Sequence, residues 1–551
     1  MDKLLHWVHE IRNRKVIHDK TLLETTKYRG FALWWILYIR LYYDLLKFFK
    51  TNKPYRRIST KILISARIKS LLYFFLYIPF VAFISRLLFP KTKSKKRRRK
   101  ILYTSQFGIW RDLYDPRTKK TRRGNLMFDS IIRKLRKVNS DLQLYSTTSF
   151  GLRFFRYLKT AIEIRNRHSL GEFKPLEWYF SWDIFIRVIK ARRHFIRTWR
   201  LLSKNKVAKN KLVYRNVDVL KAFRDYFEYY YKMFLPIMAL YYELSLKILE
   251  DKRPDLVMLT NEYGGFERSL VFTSRLMGIP TLALQHGVIS KYHPGYMYLK
   301  DEISESEALS SEYVPIPTKT AVYGPYYKWL LTEVSAYPKS SVVVTGASRY
   351  DILKFSNEIY DRTEFCKRYN LDVKKKIVLI GTQPFPLEDV RIQFFDNVLL
   401  ALKKIPNIQI VIKPHPRENS EWHLQRLKEL KCNATVLPPK SDTYEALFVC
   451  DLYISLTSTT ILEAMILDKP VVVVNLFNLP EILPWVKEGA ALGVYKSDDL
   501  LPTLQKALFD EKIQKELAKK RKQFLYNHVY KLDGMATDRV VEVIYSLLKS
   551  C

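Results

Sequence analysis

Residues 450–474 have the sequence CDLYISLTSTTILEAMILDKPVVVV. The apolar residues at 452–455 and 471–474 predict two buried strands, with a hydroxyl-rich loop and a helix between them. A strand, a loop, a helix and a second strand in this order are typical of a parallel sheet that is covered by helices. Working outward from this unit, the same alternation recurs along most of the chain.

The strand-like runs fall into two series. The first series lies at residues 100–105, 256–259, 281–284, 320–323 and 342–345, and the second at 376–380, 408–412, 435–437, 452–455 and 471–474. Helical segments separate the runs, so the sequence predicts an α/β fold with two Rossmann-like domains that face a cleft. Ligands of such sheets bind beyond the carboxyl ends of the strands. The predicted parts are an N-terminal helical segment at 1–99, an N-terminal domain with a helical insertion at 100–350 and a C-terminal domain at 351–551.

Composition limits the classes of function. The 551 residues include 95 Lys and Arg against 54 Asp and Glu, a formal net charge of +41. Such a charge attracts polyanions: nucleic acid, anionic lipid or phosphorylated substrates. We find no aromatic-basic motif of a nucleic-acid module, so no nucleic-acid partner is expected. The four cysteines are far apart and have no CxxC spacing, which indicates neither a zinc site nor a disulfide framework.

The first hundred residues combine apolar runs with basic clusters. Residues 71–84 are uncharged and contain Pro79, and Arg86 and the basic block at 91–100 follow them. An apolar run flanked by Lys and Arg fits a helix that lies in the membrane interface, on the cytoplasmic side. We therefore expect a cytoplasmic protein bound peripherally to the inner face of the cell membrane. A membrane-spanning segment near 69–89 and a helical hairpin packed on the enzyme are the alternatives.

The sharpest local signal is the sequence IVIKPHP at residues 410–416. The two prolines end the strand and keep the following backbone extended. Lys413 and His415 should therefore lie at the carboxyl end of the strand, where a phosphate would bind. Lysine supplies a compact cation, and histidine supplies a donor that can become charged beside a phosphate. The alternative is a turn with incidental polar residues.

The hydroxyl-rich loop contains Thr457, Ser458, Thr459 and Thr460. Its backbone N–H groups and hydroxyls precede a helix, an arrangement that favours an anion. The glycines and the Lys-Ser/Thr ending of a Walker A motif are absent. Glu463 has two interpretations: it completes a capping box with Thr460, or it accepts hydrogen bonds from a ribose or sugar hydroxyl of the donor.

Two residues of the N-terminal domain are candidates for a general base. His286 follows a predicted strand within Gln285-His286-Gly287, and Gly287 lets the backbone pass closely. Glu262 follows the preceding strand and should face the same cleft. Either side chain could accept a proton. A structural histidine and a helix-capping acid are the alternatives.

Four further residues are weaker candidates. Gly346 and Arg349 lie where the two domains should meet. Gly381 and Thr382 end the first strand of the C-terminal series, where backbone amides often meet the pyrophosphate or base of a donor. For all four, ordinary turn residues are the more frequent interpretation.

The order of these motifs resembles glycosyltransferases of the GT-B fold. The motifs are Gln285-His286-Gly287, Thr345-Gly-Ala-Ser-Arg349, Lys413-Pro-His-Pro416 and Ser458-Thr-Thr-x-x-Glu463. Within this fold, residues 100–548 are most similar to capsule and surface-polysaccharide biosynthesis proteins, including the CDP-glycerol glycerophosphotransferase and bacterial polysialyltransferase groups. The resemblance implies that His415 and the hydroxyl loop hold the donor phosphates. It also implies that His286 or Glu262 is the base.

The resemblance also implies an activity. We expect transfer of a sugar, or a sugar-like phosphate unit, from a nucleotide-activated donor to a lipid-linked or polysaccharide acceptor during cell-surface glycan synthesis. The chain lacks the acidic-acidic-glycine motif of polysialyltransferases, and no DxD-like pair stands out, so we expect neither a sialic-acid donor nor a required metal or cofactor. UDP-N-acetylglucosamine 2-epimerase shares the fold and is one alternative. A non-catalytic nucleic-acid-binding or scaffold protein is the other.

Overall fold

The computed structural model describes residues 3–51, 72–90, 99–104, 106–115, 120–167, 171–304, 310–383, 385, 387–477, 479 and 481–549. Two parallel sheets form the centre of the molecule, and buried apolar side chains cover both faces of each sheet. The predicted α/β class with two Rossmann-like domains is therefore confirmed.

The N-terminal sheet has seven strands in the order β7-β6-β5-β4-β1-β2-β3. Its strands are β1 Lys100–Thr104, β2 Gln143–Thr147, β3 Glu172–Phe173, β4 Leu256–Thr260, β5 Thr281–Leu284, β6 Lys319–Val322 and β7 Val342–Val344. All neighbouring strands are parallel, with Met258 of β4 opposite Tyr103 of β1. Leucine and other apolar residues dominate β4 and β5 because both faces of these strands are buried.

The C-terminal sheet has six parallel strands in the order β10-β9-β8-β11-β12-β13. Its strands are β8 Lys376–Gly381, β9 Ile408–Lys413, β10 Thr435–Val436, β11 Leu452–Ser455, β12 Val471–Val474 and β13 Leu492–Val494. The unit quoted at the opening is thus β11, a loop, a helix and β12. Antiparallel two-stranded ribbons lie outside the two sheets at Lys15–Ile17 with Lys20–Thr21, Lys27–Tyr28 with Phe31–Ala32, Trp110–Asp115 with Lys120–Asn125 and Val213–Tyr214 with Val217–Asp218.

Helices cover the sheets. In chain order they are α1 Lys3–Glu10, α2 Trp34–Thr51, α3 Ile78–Leu88, α4 Asp129–Val138, α5 Phe154–Arg165, α6 Trp182–Lys204, α7 Lys206–Lys211, α8 Val219–Ala222, α9 Arg224–Tyr229, α10 Leu235–Lys252, α11 Gly265–Leu276, α12 Pro325–Trp329, α13 Ser356–Ile359, α14 Arg362–Tyr369, α15 Glu388–Leu402, α16 Ser420–Glu429, α17 Thr443–Val449, α18 Thr460–Ile466, α19 Leu500–Phe509, α20 Glu511–Val529 and α21 Ala536–Lys549.

Each sheet has a point at which the strand order reverses. In the N-terminal sheet the chain runs from β1 outward to β2 on one side, and β4 lies on the other side of β1. In the C-terminal sheet β9 and β11 flank β8 in the same way. The crevice beyond the carboxyl ends of the strands at such a point is where open α/β sheets bind ligands. The loops after β1 and β4, and after β8 and β11, are therefore the places to search for a site.

The last two helices return from the C-terminal domain to the N-terminal domain. Gly324 lies so close to α20 that an added Cβ would be 2.2 Å from the carbonyl oxygen of Asn527. In α21, Arg539 Nε donates a hydrogen bond to the carbonyl oxygen of Thr345 at 2.7 Å. These contacts fix the position of one sheet relative to the other.

The described part of residues 1–99 packs closely on the N-terminal domain. Trp34, Trp35 and Tyr38 of α2 are fully buried. His9 Nδ1 lies 2.8 Å from Glu302 Oε1 in the interior of the molecule. The apolar run predicted at 71–84 includes a π-helical turn, Tyr73–Tyr77, that leads into α3. Residue 71 and most of the basic block, at 91–98, lie outside the described residues. The division at residue 99 stays a prediction.

Within the described ranges, every helix is either too short or too polar to traverse a bilayer.

Candidate functional site

The two loops at the reversal point of the C-terminal sheet are tied to each other by a pair of hydrogen bonds. Gln383, after β8, donates from Nε2 to Thr457 Oγ1 at 2.8 Å, and its Oε1 accepts from Thr457 N at 3.0 Å. Gln383 directly follows Gly381 and Thr382 but was not among the predicted site residues. It makes the hydroxyl loop one wall of this crevice.

The hydroxyl groups of the loop form a connected set. Ser458 Oγ accepts from Thr460 Oγ1 at 2.7 Å, and Thr460 Oγ1 lies 2.5 Å from the hydroxyl of Tyr453. A Cβ on Gly381 would lie 2.0 Å from that same tyrosine hydroxyl, so only glycine fits there. The helix that follows, α18, begins at Thr460 as predicted but has only seven residues. This wall would therefore bind an anion through hydroxyls and loop amides more than through a helix dipole.

His415 lies on the opposite wall and is fixed by its backbone. Its N–H lies 3.0 Å from Thr382 Oγ1 and 2.9 Å from Glu418 Oε2. Its Nδ1 accepts a hydrogen bond from Arg417 N at 3.2 Å. Because Nδ1 accepts, the proton of the neutral imidazole belongs on Nε2, which is therefore a hydrogen-bond donor. That is the tautomer a phosphate oxygen requires.

Lys413 ends β9, as expected, and its side chain turns toward backbone carbonyls. Its ammonium is buried and donates to the carbonyl oxygens of Pro414 at 3.1 Å and Pro439 at 2.8 Å. Burial lowers the pKa of Lys413 to about 8. The side chain thus holds the loops after β9 and β10 together, and its role at a donor phosphate stays a prediction.

His286 and Arg349 lie where the two domains meet. Nδ1 of His286 is buried and has no hydrogen-bond partner among the residues described. Burial, followed by the positive charge of Arg349, lowers the pKa of His286. The imidazole is therefore held neutral, the form in which it can accept a proton. Gln285 fixes this loop, because its Nε2 donates to Gly287 O at 2.8 Å and its Oε1 accepts from Tyr323 N at 2.8 Å.

Arg349 connects the two domains electrostatically. Burial alone would lower the pKa of its guanidinium, but Tyr350, Tyr323 and Glu463 raise it overall. Glu463 belongs to α18 of the C-terminal domain, whereas His286 follows β5 of the N-terminal domain. Arg349 therefore lies close to side chains of both domains. Gly346 has φ +84° and leaves 3.0 Å between an added Cβ and Ala536, which lets α21 pass.

Glu262 belongs to an internal network. Its carboxylate accepts from Thr320 Oγ1 at 3.0 Å and from the hydroxyl of Tyr337 at 2.5 Å. Burial raises the pKa of Glu262 to about 7. Both oxygens are used inside the domain, an arrangement that favours a structural role over that of the base.

A glutamine at position 262 tests this assignment. The folded-state pKa of about 7 exceeds the ordinary 4.5. The contribution of the protonated carboxyl to stability is therefore complete below pH 4.5 and is lost as the pH rises to about 7. Between these pH values, the unfolding free energy of the wild type should fall relative to that of Glu262→Gln by on the order of 3 kcal/mol. Urea titrations across this range measure the difference. Transfer activity that disappears in Glu262→Gln would argue for the base instead.

The reversal point of the N-terminal sheet contains an acid that sequence reasoning missed. Glu267, in the first turn of α11, accepts a hydrogen bond from Gln106 Nε2 at 2.9 Å. Gln106 follows β1 and Glu267 follows β4, so the pair spans the reversal point. Burial raises the pKa of Glu267 to about 7. The sequence signal that could have revealed this acid is its position three residues after Gly264, which closely follows a predicted strand.

In the part of the chain that the structure describes, no three His, Cys, Asp or Glu side chains are grouped so that they could hold a metal ion.

Comparison with known proteins finds similarity to one family model, over part of the chain, and to several solved structures. Residues 352–479 match the family model of lipid-A-disaccharide synthetase. No curated protein matches the chain. Among solved structures, UDP-GlcNAc 2-epimerase from Neisseria meningitidis bound to UDP-GlcNAc is 15% identical, with 81% of this chain and 100% of that chain covered and a TM-score of 0.45. The wall teichoic acid polymerase TagF is 12% identical, with 88% and 98% covered and a TM-score of 0.42. The C-terminal domain is thus similar to a glycosyltransferase family.

Proposed function

We propose that the protein is a glycosyltransferase of the GT-B type that uses a nucleotide-activated donor. The observation that carries the proposal is the convergence at the C-terminal crevice: the Gln383–Thr457 pair and the Thr382–His415 contact bring three loops to one point. This crevice offers hydroxyls, amides and an imidazole donor to the two phosphates of a nucleotide diphosphate.

The family match supports this assignment independently. The matched residues, 352–479, contain the His415 loop and the hydroxyl loop. A sequence similarity to lipid-A-disaccharide synthetase that includes both walls of the crevice is what a shared donor site would produce. Glu463 of the same region, which interacts electrostatically with Arg349, is proposed to bind a ribose or sugar hydroxyl.

The arrangement suggests a direct displacement. The acceptor oxygen forms a bond to the anomeric carbon of the donor, and the bond between that carbon and the phosphate oxygen breaks. The acceptor proton passes to neutral His286, a step worth about 10²–10⁴-fold in rate. The departing diphosphate gains negative charge, which His415 and the hydroxyl loop stabilise. Burial, followed by the positive charge of Arg349, keeps His286 deprotonated until the transfer. No metal ion is required in this scheme.

The proposed acceptor and cellular location rest on the sequence. We propose a lipid-linked or polysaccharide acceptor, as in capsule or surface-glycan synthesis, and a peripheral position on the cytoplasmic side of the cell membrane. The net charge of +41 supports attraction to an anionic surface.

A nucleotide panel tests the donor site. A ligand that binds only the folded protein raises the melting temperature, and at a concentration of 100 Kd it adds about 2.7 kcal/mol of stability. We expect one of UDP, GDP, CMP and CDP to stabilise the protein more than the others, which names the donor class. The same measurement on His415→Ala should show a smaller shift with that nucleotide.

Turnover then separates the alternatives. A transferase consumes the matching nucleotide sugar faster when acceptor is present, whereas an epimerase converts UDP-N-acetylglucosamine without any acceptor. Absence of stabilisation by every nucleotide would favour a non-catalytic scaffold and refute the proposal.

A further inference from the structure

One helical segment is apolar on its outer side as well as its inner side. Residues 72–88, the π-helical turn and α3, contain no acidic residue, and Arg86 is their only charged one. Leu76, Phe80, Phe83 and Leu87 follow one another at spacings of four, three and four, so they share one side of the helix. This side faces away from the protein: Phe83 is 61% exposed and Leu87 is 64% exposed.

Neighbouring helices extend this apolar surface. Phe155 at the start of α5 is 76% exposed, and its ring centroid lies 6.4 Å from that of Phe80. Trp182 at the start of α6 is 71% exposed, and Phe185 joins it to Phe75 through ring contacts of 5.4 and 5.3 Å. We call the set Leu76, Phe80, Phe83, Leu87, Phe155 and Trp182 the outer face. Contiguous exposed apolar surface of this kind marks an interaction site.

A cationic stripe continues from the outer face. Trp182, Ile186, Lys190, Arg193 and Arg197 lie at spacings of four, four, three and four on α6, and all five are exposed. The helix has seven Lys or Arg residues and one acidic residue among its 23. The same side of one helix therefore changes from apolar to strongly positive along its length.

We propose that the outer face and this stripe dock on an anionic lipid bilayer. Phenylalanine, leucine and tryptophan beside Lys and Arg are the composition of helices that lie in the headgroup region. The apolar side chains enter the acyl boundary, while the cations of the stripe reach anionic headgroups. A protein partner would need an apolar groove lined by acidic side chains. A bilayer that contains anionic lipid offers both apolar and negatively charged regions without a specific binding surface.

The bilayer would also deliver the acceptor, a step that rests on the proposed function. Four aromatic rings, Phe80, Phe154, Phe150 and Phe107, form a continuous row with centroid spacings of 6.1, 4.9 and 5.1 Å. The inner three rings are buried, and the row begins at the outer face and ends next to Gln106, the partner of Glu267 at the N-terminal reversal point. The outer face and this reversal point are therefore separated by only four packed rings, and an acceptor anchored in the bilayer beside them can place its polar end at the N-terminal crevice while its lipid stays in the membrane.

Vesicle flotation of the full chain tests the docking surface. The wild type should float with phosphatidylcholine vesicles that contain phosphatidylglycerol and should float less with phosphatidylcholine alone. The double variant Phe83→Glu/Leu87→Glu should lower the ratio of bound to free protein at least about tenfold, because it removes two large apolar side chains from the interface. The matched control Leu400→Glu/Phe509→Glu changes an exposed Leu and an exposed Phe of the C-terminal domain and should float as the wild type does.

The other outcomes are informative. Lys190→Gln/Arg193→Gln/Arg197→Gln should reduce the preference for anionic vesicles and its salt dependence while leaving nucleotide stabilisation unchanged. A wild type that floats with neither vesicle, or a double variant that floats normally, overturns the proposal. A dimer that Phe83→Glu/Leu87→Glu dissociates, without vesicle binding, would mean that a second copy covers the face. Loss of nucleotide stabilisation in the wild type would refute the proposed donor site alone.

Discussion

His286→Ala should lower the rate of transfer by about 10²–10⁴-fold while leaving the affinity for the nucleotide unchanged. The imidazole follows a strand of the N-terminal domain, and its buried Nδ1 has no hydrogen-bond partner among the described residues. The donor crevice is formed by other loops, so a change at His286 should affect the proton transfer and not the binding of phosphates. Transfer assays with saturating donor, together with nucleotide titrations, measure the two effects separately.

The pH dependence of the rate gives a second readout of the same assignment. A base must be neutral to act, and burial and Arg349 lower the pKa of His286 from 6.5. The rate should therefore stay constant near neutral pH and fall only at pH values below 6.5. Arg349→Met removes the positive charge and should move this acid limb to higher pH, whereas Arg349→Lys should not. An acid limb that survives in His286→Ala would assign it to another group, and Glu267 would be the first to examine.

The fold could be predicted where strands are continuous and buried. Residues 256–259 and 282–284 are apolar at every position because helices cover both faces, and this pattern is visible in the sequence. β2 and β3 were missed because Gln143–Thr147 is half polar and Glu172–Phe173 has two residues at the edge of the sheet. Edge strands bury less surface, so their sequences carry a weaker signal.

The site could be predicted only in part, since local patterns fix positions along the chain but not contacts across it. The pattern of strand, loop, helix and strand in residues 450–474 predicted the loop at 457–460. The structure places this loop at the reversal point of the C-terminal sheet. Gln383 and Thr457 are separated by 74 positions, so no local motif shows that they bind each other. For Lys413 the strand end was correct, yet the direction of the ammonium depends on the carbonyl of Pro439, a residue of another loop. Glu267 was missed because its partner Gln106 is even more distant in the sequence, at 161 positions.

His415→Ala is expected to have the second large effect, and its signature should differ from that of His286→Ala. Loss of one preorganised donor to a developing negative charge costs about 10²–10³ in rate. The donor phosphates also contact this side chain in the ground state, so nucleotide affinity should fall together with the rate. The proposed donor atom is Nε2, because Nδ1 already accepts from Arg417 N at 3.2 Å.

Two substitutions at this position distinguish the nitrogen atoms. The side-chain amide of glutamine reaches about as far as Nε2, whereas that of asparagine ends near the position of Nδ1. His415→Gln should therefore recover part of the nucleotide affinity and of the rate, and His415→Asn should resemble His415→Ala. The backbone N–H of residue 415 still reaches Thr382 and Glu418 in all three variants, so the loop itself should stay in place. Equal activity of all three variants and the wild type would remove His415 from the donor site, and the crevice would then have no imidazole to oppose the leaving diphosphate.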